Sequence, residues 1–325
     1  MRRLSFFTLL FLMAATDAYA QALMPFDPWL EQFKQTAARE GISSAIIEDA
    51  FRDIEPDESV VTLDQKQPEN KVSLTTYLKN TVNARRIKKG RALMREHHTL
   101  LKKVSARYGV QPEYIVALWG VETDFGHYKG DFSVIQSITT LAYEGRRADF
   151  FSRELLSALK LMEREKMTSA ELQGSWAGAM GDCQFMPSTY LNYAADGNGD
   201  GHRDIWNNEA DIFASIANYL HGLGWNPKEG WGHRIEVPDD FTMEEADIKH
   251  AKSIAEWRAR GITYAGGKPL PQSATLRYAM YPGTQEEGAY FVTENYQALL
   301  QWNRSRYFAT AVGKLADKLR EKNHD

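Results

Sequence analysis

Glu122 stands where a carboxylate could do acid chemistry. The stretch from Pro112 to Glu122 puts Ile115, Leu118, Trp119 and Glu122 at i, i+3, i+4 and i+7. Residues at that spacing share one face of a helix. A carboxyl on an apolar face is disfavoured in its charged form, so its pKa rises. An acid that keeps its proton near neutral pH is what cleavage of a glycosidic bond needs at the leaving oxygen. On spacing alone, the commoner outcome is a structural glutamate neutralised by an arginine. Asp124 is the nearest second carboxylate, and two helical steps point it away from Glu122.

Two further stretches carry polar and small residues in suggestive order. The first runs from Gly174 through Ser175, Trp176, Ala177, Gly178 and Ala179 to Gly181, followed by Gln184-Phe185-Met186-Pro187-Ser188. Small residues let backbone and ligand approach closely, although they equally serve tight packing. Ser175 and Gln184 can hydrogen-bond a polar ligand, and Phe185 and Tyr219 can stack on a sugar face. Cys183 reads as a packed free thiol, since no histidine stands beside it to activate it. The second stretch is a loop with Asp196, Asn198 and Asp200 at positions 1, 3 and 5 and Gly201 at position 6. That is the opening of an EF-hand loop, in which His202 would offer its backbone carbonyl at position 7. Position 12 is Asn207 where a bidentate glutamate is usual. The oxygen ligands suit calcium better than sodium or magnesium; an Asx-rich turn with solvated carboxylates is the alternative.

These residues must be positioned by a largely helical chain. Apolar spacing predicts helices over 28–53, 74–108, 112–125 and 146–166, with an irregular connection over 56–73. Asp211 reads as the cap of a helix carrying Ile212, Ile216, Tyr219, Leu220 and Leu223, which Gly222 or Gly224 would end. From about 232 to 295 the texture changes. His233 to Val237 and Ala274 to Tyr278 alternate like strands, and Gly266-Gly267 and Pro282-Gly283 mark turns. Residues 294–322 return to an amphipathic helix broken near Asn303.

Composition narrows the function class. The 325 residues are 43% hydrophobic and 25% charged, which supports a packed core and excludes disorder. A net charge of −4 argues against a general nucleic-acid binder. A single cysteine excludes an intramolecular disulfide and a cysteine-rich zinc site. At the start, Met1-Arg2-Arg3, an apolar run from Leu4 to Ala15, and Ala18-Tyr19-Ala20 before Gln21 have the layout of a secretory signal peptide. No cysteine lies at the cleavage site to carry a lipid, and no later stretch is long and apolar enough to span a bilayer. The expectation is an exported protein, soluble after signal cleavage.

Several separated motifs, in order, resemble the B-type family of lytic murein transglycosylases. They are Gly120-Val121-Glu122-Thr123-Asp124-Phe125-Gly126, the Gly174 to Ser188 stretch, the loop from Asp196 to Trp206, and Ala217-Asn218-Tyr219. Weaker matches occur from Leu63 to Glu69 and at Trp302-Asn303-Arg304-Ser305, so the resemblance covers about residues 25 to 320.

The resemblance implies a mainly α (α+β) fold with a lysozyme-like helical core. Its parts would be a signal peptide over 1–20, an N-terminal helical region over 21–108, and a catalytic core over 109–231. A small β-containing insertion over 232–295 and a C-terminal helical segment over 296–325 would follow. Glu122 matches the family's single acid/base. Ser175, Gln184, Phe185, Tyr219 and Asn303 match glycan-cleft positions, and Tyr77 sits at the right distance upstream to match a cleft tyrosine. Arg146 and Arg147 match a pair that helps bind the peptide-bearing substrate. The implied reaction cleaves the β-1,4 bond between N-acetylmuramic acid and N-acetylglucosamine and leaves a 1,6-anhydro end. A hydrolytic muramidase using the same Glu122, and a wall-binding protein without turnover, are the alternatives. The implied metal is a structural calcium, or sodium, held by Asp196, Asn198, Asp200, His202 and Asp211. No organic cofactor and no nucleic acid are implied. The partner would be the glycan strands of peptidoglycan, met by a periplasmic monomer.

Overall fold

The computed structural model describes residues 24–66, 72–144 and 146–321. The signal sequence read from residues 1–20 lies outside the described residues. The chain gathers into two units that alternate along the sequence. One takes Met1–Gln67, Gly130–Met180 and Met186–Leu191; the other takes Pro68–Lys129, Gly181–Phe185 and Asn192–Asp325.

In the first unit the pattern over 28–53 resolves into two helices, Phe26–Arg39 and Ser44–Ala50. Leu30, Phe33 and Ala37 form the buried stripe of the first. The segment expected to be irregular contains a helix, Glu58–Gln65. Its two prolines, Pro56 and Pro68, fall outside the helix, and Asp57 caps its start by accepting a hydrogen bond from the Ser59 amide at 2.8 Å. The apolar helix Val134–Tyr143 packs along Ala148–Glu165, the longest helix of this unit. A short antiparallel pair, Phe132–Ser133 with Gln173–Gly174, closes its other side.

The second unit is built around the helix Pro112–Thr123. Proline suits its first position, and every residue from Tyr114 to Gly120 is buried. Around it pack Arg306–Arg320, Ala84–Glu96, Glu209–Gly222 and His98–Tyr108. A helix covered on so many sides is apolar almost all round, as this one is. Gly120 is required here: a Cβ would lie 2.7 Å from the Phe125 ring, which folds back under the helix end. The helix Glu209–Gly222 starts earlier than expected. Asn208 is its cap and accepts from the Ala210 amide at 3.0 Å, which leaves Asp211 fully buried inside the first turn.

The expected strands appear as Gly232–Glu236 and Leu276–Met280 within one six-stranded sheet. Gly266 and Gly267 turn the chain between Thr263–Tyr264 and Lys268–Pro269. Ile235, Trp257 and Phe291 anchor the sheet's own apolar cluster. The final helices, Glu294–Trp302 and Arg306–Arg320, part at Asn303 as the pattern predicts. The result is a mainly helical α+β chain. Among the described residues, no helix is long and apolar enough to cross a membrane.

Candidate active site

Glu122 lies in the last turn of Pro112–Thr123, on a helix held from several sides. Its residue surface is only partly covered, while its carboxyl is ringed by protein atoms. That enclosure pushes its pKa up to about 8, against a smaller lowering by a hydrogen bond from Trp302. The Trp302 indole Nε1 donates to Glu122 Oε1 at 2.7 Å. Among the described residues, no arginine neutralises this glutamate. Arg85 and Arg86 close instead on Asp124, at 2.8 and 3.1 Å.

An aromatic group backs the acid. Trp302 packs on Tyr219 with ring centroids 4.9 Å apart, and Tyr219 stacks on Tyr193 at 4.5 Å. Phe185 meets both Tyr219 and Trp302, at 5.5 and 5.4 Å. It is 1% exposed, so it props these rings and offers no free stacking face, which corrects the role read from its type. Tyr219 and Trp302 keep accessible surface. Tyr77 also lies near the acid: burial raises its pKa, and the charge of Glu122 adds to the effect. Its ring meets Tyr307 at 5.7 Å, a pairing that the sequence left unassigned.

Both neighbouring aspartates have other duties. Asp124 leaves the helix in the left-handed region, φ 52°, and the two arginines hold its pKa below the usual range against the opposing effect of burial. Asp182 takes the Trp119 indole at 2.6 Å and lies 3.3 Å from Lys129 Nζ. Burial raises its pKa, and these partners oppose the rise. Cys183 is fully buried, its Sγ is 3.6 Å from the Ile212 carbonyl, and burial raises its pKa well above the ordinary thiol value.

The remaining expected site residues divide between the units. Gln184, in the second, directs its amide nitrogen to the carbonyls of Lys129 and Gly181, at 3.1 and 3.0 Å. Its carbonyl oxygen makes no hydrogen bond with any described residue. Asn303 is exposed next to Trp302 and accepts from the Ser305 amide at 3.0 Å. In the first unit, Ser175 sits in a tight turn, its hydroxyl accepting from the Ala179 amide at 3.0 Å. Arg146 and Arg147 converge on Asp64, each with a nitrogen 2.8 Å from its carboxylate. Their hydrogen bonds, Arg146 first, hold Asp64 below the ordinary carboxylate range. Trp302 is the site residue that residue-by-residue reading missed, although its motif lay in the matched segment. No local spacing signals a donor so distant in sequence from its acceptor.

The Asp196 loop folds as a nest of oxygens. Asp196 accepts from the amides of Gly199 and Gly201, at 2.5 and 2.8 Å, and Asp200 from that of His202 at 2.8 Å. Asn198 donates to Asp200 at 2.8 Å. Asp211 accepts from Gly197 and Asp204, both at 2.8 Å. Burial raises the pKa of Asp211, and the charges of Asp196 and Asp200 raise it further. Three mutually repelling carboxylates beside an amide oxygen fit a hard cation. Among the described residues, no three His, Cys, Asp or Glu side chains converge on a preformed metal centre. A cation here would therefore need Asn198 and backbone carbonyls as well as the carboxylates.

Known proteins resemble this chain in sequence and in fold. A family profile described as Transglycosylase SLT domain matches residues 25–317. Membrane-bound lytic murein transglycosylase B of Escherichia coli strain K12 is 32% identical over 248 residues, which is 74% of this chain and 65% of that protein. The chain thus spans less than two thirds of the length of that curated relative. SltB3 from Pseudomonas aeruginosa, solved in complex with NAG-anhNAM-pentapeptide, matches with a TM-score of 0.86 at 38% identity, covering 91% of this chain and 80% of that one. Escherichia coli lytic transglycosylase Slt35, solved in complex with calcium, matches with a TM-score of 0.77 at 28% identity, covering 90% and 92%. With the profile running through nearly all of the described residues, the protein belongs to the transglycosylase SLT domain family, among the lytic murein transglycosylases that its motifs resemble.

Proposed function

We propose that this protein is a lytic transglycosylase of peptidoglycan, with Glu122 as its single acid/base. The observation that carries the reading is an enclosed carboxyl with its pKa raised to about 8, hydrogen-bonded by an indole and, among the described residues, without a cation to discharge it. One relative, SltB3, solved with NAG-anhNAM-pentapeptide and with NAG-NAM-pentapeptide, supports the substrate class.

Protonated Glu122 gives its proton to the oxygen linking N-acetylmuramic acid to N-acetylglucosamine. As that C–O bond breaks, the 2-acetamido group of the muramoyl sugar stabilises the cationic C1. The glutamate, now a carboxylate, takes the proton of the C6 hydroxyl, whose oxygen closes on C1. The product is a 1,6-anhydro end; no water enters and Glu122 recovers its proton. Holding C6–OH next to C1 replaces a bimolecular attack with an internal one. Asp124 and Asp182 are engaged elsewhere, which supports a route that needs no second carboxylate.

Tyr77, Ser175, Gln184, Tyr219 and Asn303 are assigned to glycan contact, with Phe185 supporting them, and Arg146 and Arg147 to the peptide stem. Asp196, Asn198, Asp200, Asp211 and the His202 carbonyl are assigned to a structural calcium. That ion would neutralise the loop's charge and brace it, outside the chemical steps. Export to the periplasm, through the signal sequence at residues 1–20, brings the enzyme to the wall.

Mass spectrometry of fragments released from purified peptidoglycan tests the activity. Muropeptides one water lighter than hydrolysed ones, and resistant to borohydride, are expected. Reducible ends would make the protein a hydrolase, and no release would leave it a binding protein.

A further inference from the structure

The helices Ala84–Glu96 and His98–Tyr108 carry a feature that the chemistry at Glu122 does not use. Helical hydrogen bonds continue through their junction, from the His97 amide to the Leu93 carbonyl and from the Leu101 amide to the His97 carbonyl. Lys88, Arg95, His98 and Lys102 follow at steps of seven, three and four, so they share one face. At 1.5 Å per residue that face runs for about 20 Å. All four are exposed. They line three adjoining depressions, which share Arg91 and Arg95 at one junction and Met94 and His98 at the next. Among the described residues, Lys88, Arg95 and Lys102 have no ion pair or hydrogen-bond partner. Two acids also line the groove, Glu113 and Glu321, and Lys318 holds the second at 2.8 Å. Among the described residues the strip therefore carries an excess of positive charge, partly offset by Glu113, on a chain whose net charge is −4.

We propose that this groove is a second wall-binding surface, one that holds the carboxylate-bearing peptide stems of peptidoglycan away from the bond being cut. The inference rests on the reading of the protein as a peptidoglycan-cleaving enzyme. Charge selects a polyanion. Shape selects an extended one, because a groove meets a flat bilayer poorly. The large apolar side chains exposed among the described residues are Leu63, Val72, Tyr128, Phe150, Met243 and Leu276, and none lines the groove. Met94, Leu101 and Leu319 lie in its floor, but the cations on its rim favour a polyanion over an apolar helix face. Peptide stems end in free carboxylates and recur along every strand, so one extended polymer can meet several cations together. Glu113, at one end of the groove, precedes Glu122 by nine residues of the same helix, or about 14 Å. The Lys88 end follows Arg85 and Arg86, which bind Asp124, so the strip leads from the neighbourhood of the acid outward to Glu113. Binding through two sites on one polymer raises the local concentration of substrate.

The test uses the full-length protein carrying Glu122→Gln, so that the wall is bound and not digested. Co-sedimentation with insoluble peptidoglycan is compared with and without Lys88→Glu, Arg95→Glu and Lys102→Glu, at low and physiological salt. A second set, with glutamine at these three positions, covers the case in which charge reversal harms folding. The expected result is a loss of roughly tenfold in apparent affinity at low salt for the reversed set, less for the neutral set, with the difference shrinking as salt rises. Peptidoglycan stripped of its peptides by an amidase should bind both forms alike. With Glu122 restored, turnover of a short soluble glycan should stay within about twofold. Unchanged sedimentation overturns the proposal, as does an equal loss on peptide-free glycan. So does a loss seen only on phosphatidylglycerol vesicles, which would assign the strip to a membrane. If the unsubstituted protein failed to cut the soluble glycan, the reading of Glu122 would fall, independently of the sedimentation result.

Discussion

The indole nitrogen of Trp302 lies 2.7 Å from Glu122 Oε1, and it can only donate. An oxygen that receives this bond keeps its lone pair pointed at the indole. The acid proton of Glu122 is thereby directed to Oε2, the oxygen left free to face a leaving group. One contact thus orients the carboxyl and distinguishes its two oxygens.

Glu122→Gln should abolish glycan cleavage, by at least about a thousandfold, while the fold is kept. The amide is a near-isostere that can still accept from Trp302 but cannot shuttle a proton. Muropeptide release and circular dichroism measured on the same preparation check both halves.

The same variant should remove an alkaline loss of stability. Glu122 binds its proton more tightly in the folded state, near pH 8, than in the unfolded state, near 4.5. Its contribution to stability is complete below pH 4.5 and is lost as pH rises through 8. The glutamine variant lacks that loss, so its melting temperature should exceed that of the unsubstituted protein by roughly 5 °C at pH 8, with the gap closing towards pH 5. Catalysis should fall as pH rises past about 8, where the acid loses its proton. Thermal scans and a pH–rate profile read the two effects separately.

Trp302→Phe keeps a ring against Tyr219 and removes the donor. The lost hydrogen bond had favoured the ionised glutamate, so its pKa should move higher. The alkaline limb of the pH–rate profile should shift upward, and kcat should fall about tenfold through loss of the directed proton. A variant that lowered activity without moving the limb would show that packing alone was affected.

Calcium added to chelator-treated protein should raise the melting temperature, by about 2.7 kcal/mol of stability at a hundredfold excess over Kd. Asp211→Asn should weaken that response, because the buried carboxylate is surrounded by the charges of Asp196 and Asp200. Turnover well below the transition should not depend on the ion.

Replacing Arg146 and Arg147 together with alanine should leave Asp64 without its cations. The depressed pKa of Asp64 contributes stability that is present above the ordinary aspartate range and lost as pH falls through the folded value. That acid-side dependence should flatten in the double variant. The KM for peptide-bearing glycan should rise while that for bare glycan holds, which steady-state kinetics on the two substrates would read.

The placement of Glu122 was legible because its segment reads as one strongly apolar helix that ends just past the glutamate. The turns of the Asp196 loop were legible because Asp, Asn and Gly at that spacing favour local carboxylate-to-amide hydrogen bonds. Trp302 was not, since nothing near residue 302 indicates an acceptor so far away in the chain. Phe185 reads as a stacking residue by type, yet burial turns its ring into support. The helix Glu58–Gln65 was hidden between two prolines and is barely two turns long, too short for periodicity to register. The alternation of the two units was also hidden, because composition marks linear segments and cannot show which of them meet again.

The distance between Trp302 and Glu122 along the chain has a consequence for biosynthesis. The donor comes 180 residues after the acid, and the Arg306–Arg320 helix that braces the catalytic helix comes later still. A ribosome that has just made the glutamate has made a carboxyl without its indole and without its enclosure. Such a carboxyl has no reason to hold a proton at neutral pH. The raised pKa of Glu122 is thus a property of the completed fold, set by segments that are synthesised long after the residue itself.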